Sequence, residues 1–337
     1  MIPHNRPTLG EAEAAAAARV LASGWVAQGP EVAAFEDEMC TFLGLPAGHA
    51  VAVSSGSAAL YLALLALRGQ GQRVALPAYS CRALWNAIAL AGGTAAMLDT
   101  APGDAAPAAV AWTAGNTPVA ILAHMYGIPA PLPDGYVGAV IEDCAQALGA
   151  TVAGRPAGLN GAAGVFSFGA TKPITSGGQG GMVVSRDAAV IDFVRAARDY
   201  DTVLDALPRF NFQMTDLQAA IGRVQLSRLP EFIARRAAIY AYYRGAGLPL
   251  LGSDVVGAMR FRAVLRTDDP LQAQQSLAEA GVRAIVPVTG EELLAPPETL
   301  PNAARLCAST LSLPVYPSLS DAEVEHIAAA ALRSLAP

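Results

Sequence analysis

Lys172 is the only lysine in 337 residues; every other basic side chain is arginine. Arginine replaces lysine at little cost on most surfaces. A position that keeps lysine in an Ala-, Gly-, Pro- and Arg-rich chain therefore points to chemistry closed to a guanidinium. An amine can lose its proton and attack a carbonyl, whereas a group with a pKa above about 12 cannot. Lys172 is read as a Schiff-base lysine; the plain alternative is a solvated turn residue in the Gly-rich stretch 164–181, GVFSFGATKPITSGGQGG. Two further groups stand at the ends of apolar runs. Asp143 follows VGAVIE at 137–142, and SSGS at 54–57 joins AVAV at 50–53 to an Ala/Leu-rich segment. A strand–Gly–Ser–helix junction aims free N–H groups and the helix dipole at one point, which suits a phosphate. Simple capping of the helix by Ser57 is the other reading, and Asp143 alone also fits a solvated or capping role.

Together the three groups meet one cofactor requirement. Lysine can hold pyridoxal phosphate as an imine, a strand-end aspartate can keep the pyridine nitrogen protonated, and the phosphate can lie on the helix N-terminus. The ring then withdraws electrons from the substrate α-carbon while the released amine moves the proton.

The elements that must position these groups alternate along the chain. Thr8 to Glu11 reads as a capping box opening a helix to about residue 22, and Pro30 starts a second that ends at Gly44. A strand at 50–53 and a helix at 58–67 follow. Next come a strand at 73–76, a helix at 82–91 and strands at 94–98, 119–123 and 137–141. Loops are expected at 101–118 and 129–135. His124, just beyond a strand, fits a site-facing residue and a satisfied structural histidine equally. Strands at 164–168 and 181–185 bracket the lysine loop, and a helix covers 187–197. After a loop at 199–210, a second capping box (Thr215 to Gln218) opens a helix to Leu226, and Pro230 opens another to Gly245. Residues 259–266 alternate as a strand with an Arg-rich outer face, flanked by helices at 271–280 and 321–335. Short apolar strands alternating with helices predict an α/β fold: a mostly parallel sheet sandwiched by helices, with ligands beyond the strands' carboxyl ends. The expected division is a large domain at 1–240 and a smaller C-terminal α/β domain at 241–337.

Composition excludes other classes. No apolar run reaches the roughly 20 residues of a membrane span, and no signal peptide is expected. A net charge of −6 with scattered arginines argues against nucleic acid. The four cysteines (40, 81, 144 and 307) lie far apart with no CxxC, so no metal site is expected and the thiols read as reduced. Cytoplasmic localisation follows as the expectation.

The residues resemble the DegT/StrS-type aminotransferases, fold type I pyridoxal-phosphate enzymes with an aspartate-aminotransferase-like large domain, best known for aminating nucleotide-linked keto sugars. VSSGSAAL at 53–60 resembles the family's phosphate turn, EDCAQALGA at 142–150 its EDAAQAxGA, and SFGATK at 167–172 its SFxxxK. NFQMTDLQAA at 211–220 is similar to its NYRMxxxQAA, and LPVYPSLS at 313–320 to a weaker C-terminal signature. The resemblance implies that Lys172 carries the internal aldimine and shuttles the proton, Asp143 pairs with the pyridinium, and Gln146 lies near the ring's 3-oxygen. Gly56, Ser57 and Ser167 would bind phosphate, helped by Asn211 from a second subunit, which implies a homodimer with shared sites. The family's dehydratase branch has histidine at the lysine position, so Lys172 favours transamination.

The chain also departs from the family pattern. Cys81 stands where an aromatic usually stacks on the ring, and reads equally as a ring contact or a buried structural thiol. Gln213 replaces a usual arginine, for which Arg209 is the available substitute. The loop at 176–181 is one residue longer and lacks a carboxylate. The expected reaction takes nitrogen from an amino acid, glutamate foremost, to a keto sugar nucleotide or related cyclic ketone in surface-glycan or secondary-metabolite biosynthesis. A pyridoxal-phosphate lyase or dehydratase, and a noncatalytic regulatory relative, are the alternatives.

Overall fold

Runs of four or five apolar residues build the central sheet because both of its faces are covered. In the computed structural model, which describes the chain except residues 108–110, 113–115, 133, 202–208, 294 and 336–337, seven strands line up in one sheet. They are β1 (Ala50–Val53), β2 (Arg73–Pro77), β3 (Thr94–Leu98), β4 (Val119–Ala123), β5 (Ala139–Asp143), β8 (Ala163–Ser167) and β9 (Gly181–Val184); β6 (Thr151–Val152) and β7 (Arg155–Pro156) pair with each other outside it. Their order is β1-β9-β8-β5-β4-β2-β3. All pairings are parallel except those of β9, which runs against both β1 and β8. The mostly parallel α/β sandwich expected from the sequence is the fold observed. The expected loops at 101–118, 129–135 and 199–210 lie partly outside the described residues.

Alternate side chains go to opposite faces, as the period of two requires. Val51 and Val53 join one core, with helix α3 (Gly56–Ala66), α4 (Ala83–Leu90) and α5 (Ala188–Arg198). Ala50 and Ala52 join the other, with α2 (Pro30–Leu43) and α6 (Asp216–Gly245). A third core gathers the C-terminal part of α6, α7 (Pro270–Glu279), α9 (Asp321–Ser334) and the antiparallel pair β10 (Ala263–Arg266) and β11 (Thr310–Leu313). The chain's start joins this region: Ile2 bridges Val282, and Asn5 Nδ2 donates to the Thr171 carbonyl at 3.0 Å. Among the described residues no helix is long and apolar enough to cross a membrane.

Several local expectations are corrected. The first helix, α1 (Glu11–Ser23), is capped at Gly10, whose N–H donates to Glu13 Oε2 at 2.8 Å. Glu13 is buried and also accepts from Gln225 and Arg228, so tertiary partners set where the helix begins. Helix α6 runs unbroken for 30 residues, roughly 45 Å, through Pro230. A proline removes one N–H from a helix; packing against α1 and α2 along its length carries this helix across the gap. The Thr215–Gln218 capping box forms as expected. The strand at 259–266 shrinks to Ala263–Arg266, because Arg260 adopts φ +56° and breaks the extended run. Its outer face is partly covered: Val264 is buried and Arg262 is half-buried beside His4 and Ser312, while Arg266 is exposed. Helix α8 (Pro301–Ser309) and strand β11 were not anticipated.

Candidate active site

Five parallel or flanking strand ends open onto one cavity of about 210 Å³. The turn after β1 supplies Ser55, Gly56 and Ser57; β5 supplies Asp143; β8 supplies Ser167; β4 leads to His124; and the loop between β8 and β9 supplies Lys172. Cys81 and Gln146 also line it. Of the residues expected to hold the cofactor, only Asn211 stands outside this wall. It is exposed, and its Oδ1 accepts the Gln213 N–H at 3.0 Å. Larger depressions of about 610 and 710 Å³ lie elsewhere, around Arg305 and around Phe212. Neither gathers an amine and a buried carboxylate.

Helix α3 begins two residues earlier than expected, and its cap is Ser55: its Oγ accepts the Ala58 N–H at 3.1 Å and its carbonyl accepts that of Ala59. Ser57 is therefore not the cap; it sits in the first turn with its side chain exposed. Among the described residues the N–H groups of Gly56 and Ser57 have no partner, and no acidic residue occupies that turn. This leaves an electropositive helix start. Close approach explains the glycines. A Cβ on Gly56 would come within 2.8 Å of Ser167 Cβ, and one on Gly181 within 2.3 Å of the Ser55 carbonyl oxygen. Thus β9, running antiparallel, places the end of the lysine loop against the phosphate-type turn.

Lys172 is half-buried, and its side-chain amine has no hydrogen-bond or ion-pair partner among the described residues. Its loop is held elsewhere. The Lys172 N–H donates to the Gly169 carbonyl, Ser176 Oγ donates to the Gln179 carbonyl at 2.8 Å, and Gln218 of the second capping box reaches that same carbonyl at 2.8 Å. Asp143 is buried, and its Oδ1 accepts one N–H, from Ala145, at 2.9 Å. Burial pushes its carboxyl above the usual range; the Ala145 N–H, Lys172 and His124 pull the other way without cancelling it. A carboxylate in this state is stabilised by any cation set against it.

His124 fills both roles left open by the sequence. It lines the cavity and is fully satisfied: Nδ1 accepts the Ala130 N–H at 3.0 Å, so Nε2 carries the proton and donates to Glu142 Oε2 at 2.9 Å. Burial alone would raise the Glu142 carboxyl, but His124 and the N–H groups of Gly158 and Gly161 hold it below its ordinary value. His124, Glu142 and Cys144 cluster closely. Glu142 already accepts from His124, Gly158, Asn160 and Gly161, so the cluster is closed to a metal.

Cys81 is exposed, so the reading as a buried thiol is wrong; all four cysteines are free. Gln213 donates to Asp199 Oδ1 at 3.1 Å, and Arg209 contacts the Ala196 carbonyl away from the cavity. Gln179 lines the cavity and was missed as a site residue. Its signal was present, because it occupies the loop that departs from the family pattern.

A lone unpaired lysine, a buried strand-end carboxylate and a bare helix start at the carboxyl ends of a mostly parallel sheet define a fold type I pyridoxal-phosphate enzyme. The chain belongs to the DegT/DnrJ/EryC1/StrS aminotransferase family, whose model matches residues 7–255. It is a pyridoxal-phosphate-dependent aminotransferase. It is 34% identical to the erythromycin biosynthesis sensory transduction protein EryC1 of Saccharopolyspora erythraea, with 92% of each chain covered. Among solved structures, the aminotransferase TlmJ from Streptoalloteichus hindustanus superposes with a TM-score of 0.91 at 30% identity, over 99% of both chains. The sugar aminotransferase CalS13 from Micromonospora echinospora does so at 0.87 and 26%, over 98% of this chain and 99% of its own. The cavity fits the cofactor. The under-compensated Asp143 carboxylate suits a pyridinium, and the unpartnered Gly56 and Ser57 N–H groups suit a phosphate.

Proposed function

We propose that this enzyme moves an amino group from an amino acid, glutamate foremost, to a keto sugar nucleotide or a related cyclic ketone. The observation that carries this reading is that unpaired Lys172 and buried Asp143 converge on one cavity. The sugar named for CalS13 and the erythromycin pathway named for EryC1 support the substrate class and a place in secondary-metabolite or surface-glycan biosynthesis.

When bound, pyridoxal phosphate supplies an electron-withdrawing ring conjugated to the substrate nitrogen. The chain supplies the rest. Asp143 holds positive charge at the pyridine nitrogen, in a site where burial makes that pairing strong. The Lys172 amine, tied to no other group, would hold the cofactor covalently and, once released, would take and return the proton at the substrate carbon. Gln146 presents its amide N–H to the ring's 3-oxygen. Gly56, Ser57 and Ser167 would hold the phosphate, and Cys81, in the same wall, would contact the ring. Asn211, exposed in one chain, completes the phosphate site of a partner subunit, which makes the working form a homodimer. The functional division is a cofactor unit at 1–240 and a smaller unit at 241–337, in a cytoplasmic enzyme whose four thiols are free.

The test supplies ¹⁵N-labelled glutamate and a panel of keto sugar nucleotides to purified enzyme. The expected result is label in an amino sugar, with one 2-oxoglutarate released per sugar aminated. Loss of a sugar hydroxyl with no label transferred would overturn it in favour of a dehydratase.

A further inference from the structure

Lys172 also lines a second cavity of about 10 Å³, where the N-terminal segment, the lysine loop and α6 meet. Its wall carries three cationic side chains, Arg6, Lys172 and Arg236, and no carboxylate. Arg236 is 2% exposed. Its NH1 donates to the carbonyls of Phe261 (3.1 Å) and Val315 (2.5 Å), while its Nε is buried with no partner. The Oγ1 of Thr8, another wall residue, is also buried with no partner. Burial and then the like charge of Arg262 push the Arg236 guanidinium down to about 9. The nearby Glu13 carboxylate does not compensate, because it is held by Gln225 and Arg228.

We propose that this cavity binds a single monatomic anion of the chloride class, held by Arg236 and Thr8. An unpaired buried charge and an orphaned buried hydroxyl each cost stability, and one small anion offsets both. The volume admits about one particle of water size, so a carboxylate or phosphate does not fit. A buried guanidinium in a wall that holds no carboxylate favours an anion over water. Because Lys172 lines both cavities, the bound anion braces the loop that carries the catalytic amine.

The test uses the holoenzyme with bromide as probe. Crystals grown in bromide are expected to show an anomalous peak within contact distance of Arg236 Nε. Replacing gluconate by chloride at constant ionic strength is expected to raise Tm by roughly 2 °C at tenfold excess over Kd, and to slow amide exchange at 170–175. Thr8→Val keeps the arginine and is expected to weaken the halide response at least threefold, and Arg236→Met to abolish it. A peak absent in bromide, density fitting only water, or a chloride response unchanged in both variants would overturn the proposal.

Discussion

Gln146 Oε1 accepts the backbone N–H of Tyr126 at 2.8 Å, and Tyr126 is held at φ +63°, in the left-handed region that non-glycine residues rarely occupy. The amide of Gln146 is thereby oriented: its oxygen is committed to the backbone, so its NH₂ is the end left for the cavity that it lines. The Tyr126 hydroxyl donates to that of Tyr79 at 2.8 Å, which anchors the turn from its other side. Gln146→Glu keeps the acceptor and loses the donor. It is expected to fold normally and to bind pyridoxal phosphate about tenfold more weakly or worse, as measured by cofactor titration of the apoenzyme.

Lys172→Arg keeps the positive charge and removes the amine that can form an imine. Borohydride is expected to fix the cofactor on the Lys172 peptide of the natural enzyme and on no peptide of the variant, with turnover lost by at least about three orders of magnitude. Mass spectrometry of the reduced digest and a transamination assay read the two effects. Full turnover with a reducible imine in the variant would remove Lys172 from the mechanism.

Gly56→Ala puts a Cβ 2.8 Å from Ser167 Cβ and 3.0 Å from its hydroxyl, so the turn and β8 must separate. The expected outcome is an enzyme that loses cofactor on gel filtration while its far-ultraviolet circular dichroism stays unchanged.

Asp216 acts at a distance in sequence. From the first turn of α6 it accepts the N–H groups of Gly29 (2.8 Å), Glu31 (3.2 Å) and Val32 (3.0 Å), and so caps α2. Asp216→Ala leaves three donors without this acceptor. The expected destabilisation is on the order of 3 kcal/mol in urea unfolding; a change below about 0.5 kcal/mol would show that water replaces the carboxylate.

His4 accepts at Nε2 from Ser312 (2.9 Å) and Arg262 (3.2 Å). Burial, then Arg262 and Arg283, push its pKa down from 6.5 to about 3. The imidazole stays neutral in the fold but protonates once the chain unfolds, so stability falls as pH drops from about 6.5 toward 3. Between pH 7.5 and 5 this residue is expected to account for about 2 kcal/mol of lost stability. His4→Gln is expected to flatten that part of the stability–pH curve, and an unchanged slope would contradict the assignment.

The sequence by itself determined the cofactor chemistry and the fold. A solitary lysine is visible by counting, and the strand-end aspartate and the Gly-Ser junction are local patterns, because strand ends and helix starts are written in neighbouring residues. Buried strands are likewise apolar runs, so β3 and β4 were legible to the residue. Tertiary structure decided what depends on distant partners. Asp216 capping α2, Glu13 moving the start of α1, packing that carries α6 across Pro230 and the contacts of Arg262 with His4 and Ser312 all involve groups far apart in the chain. The cap of α3 is a local exception: Ser55, rather than Ser57, takes it through Ala58 and Ala59. Local pattern reports which groups can act, but which of them already have partners is fixed only when distant segments come within hydrogen-bond reach. That distinction leaves Lys172 free and His124 satisfied.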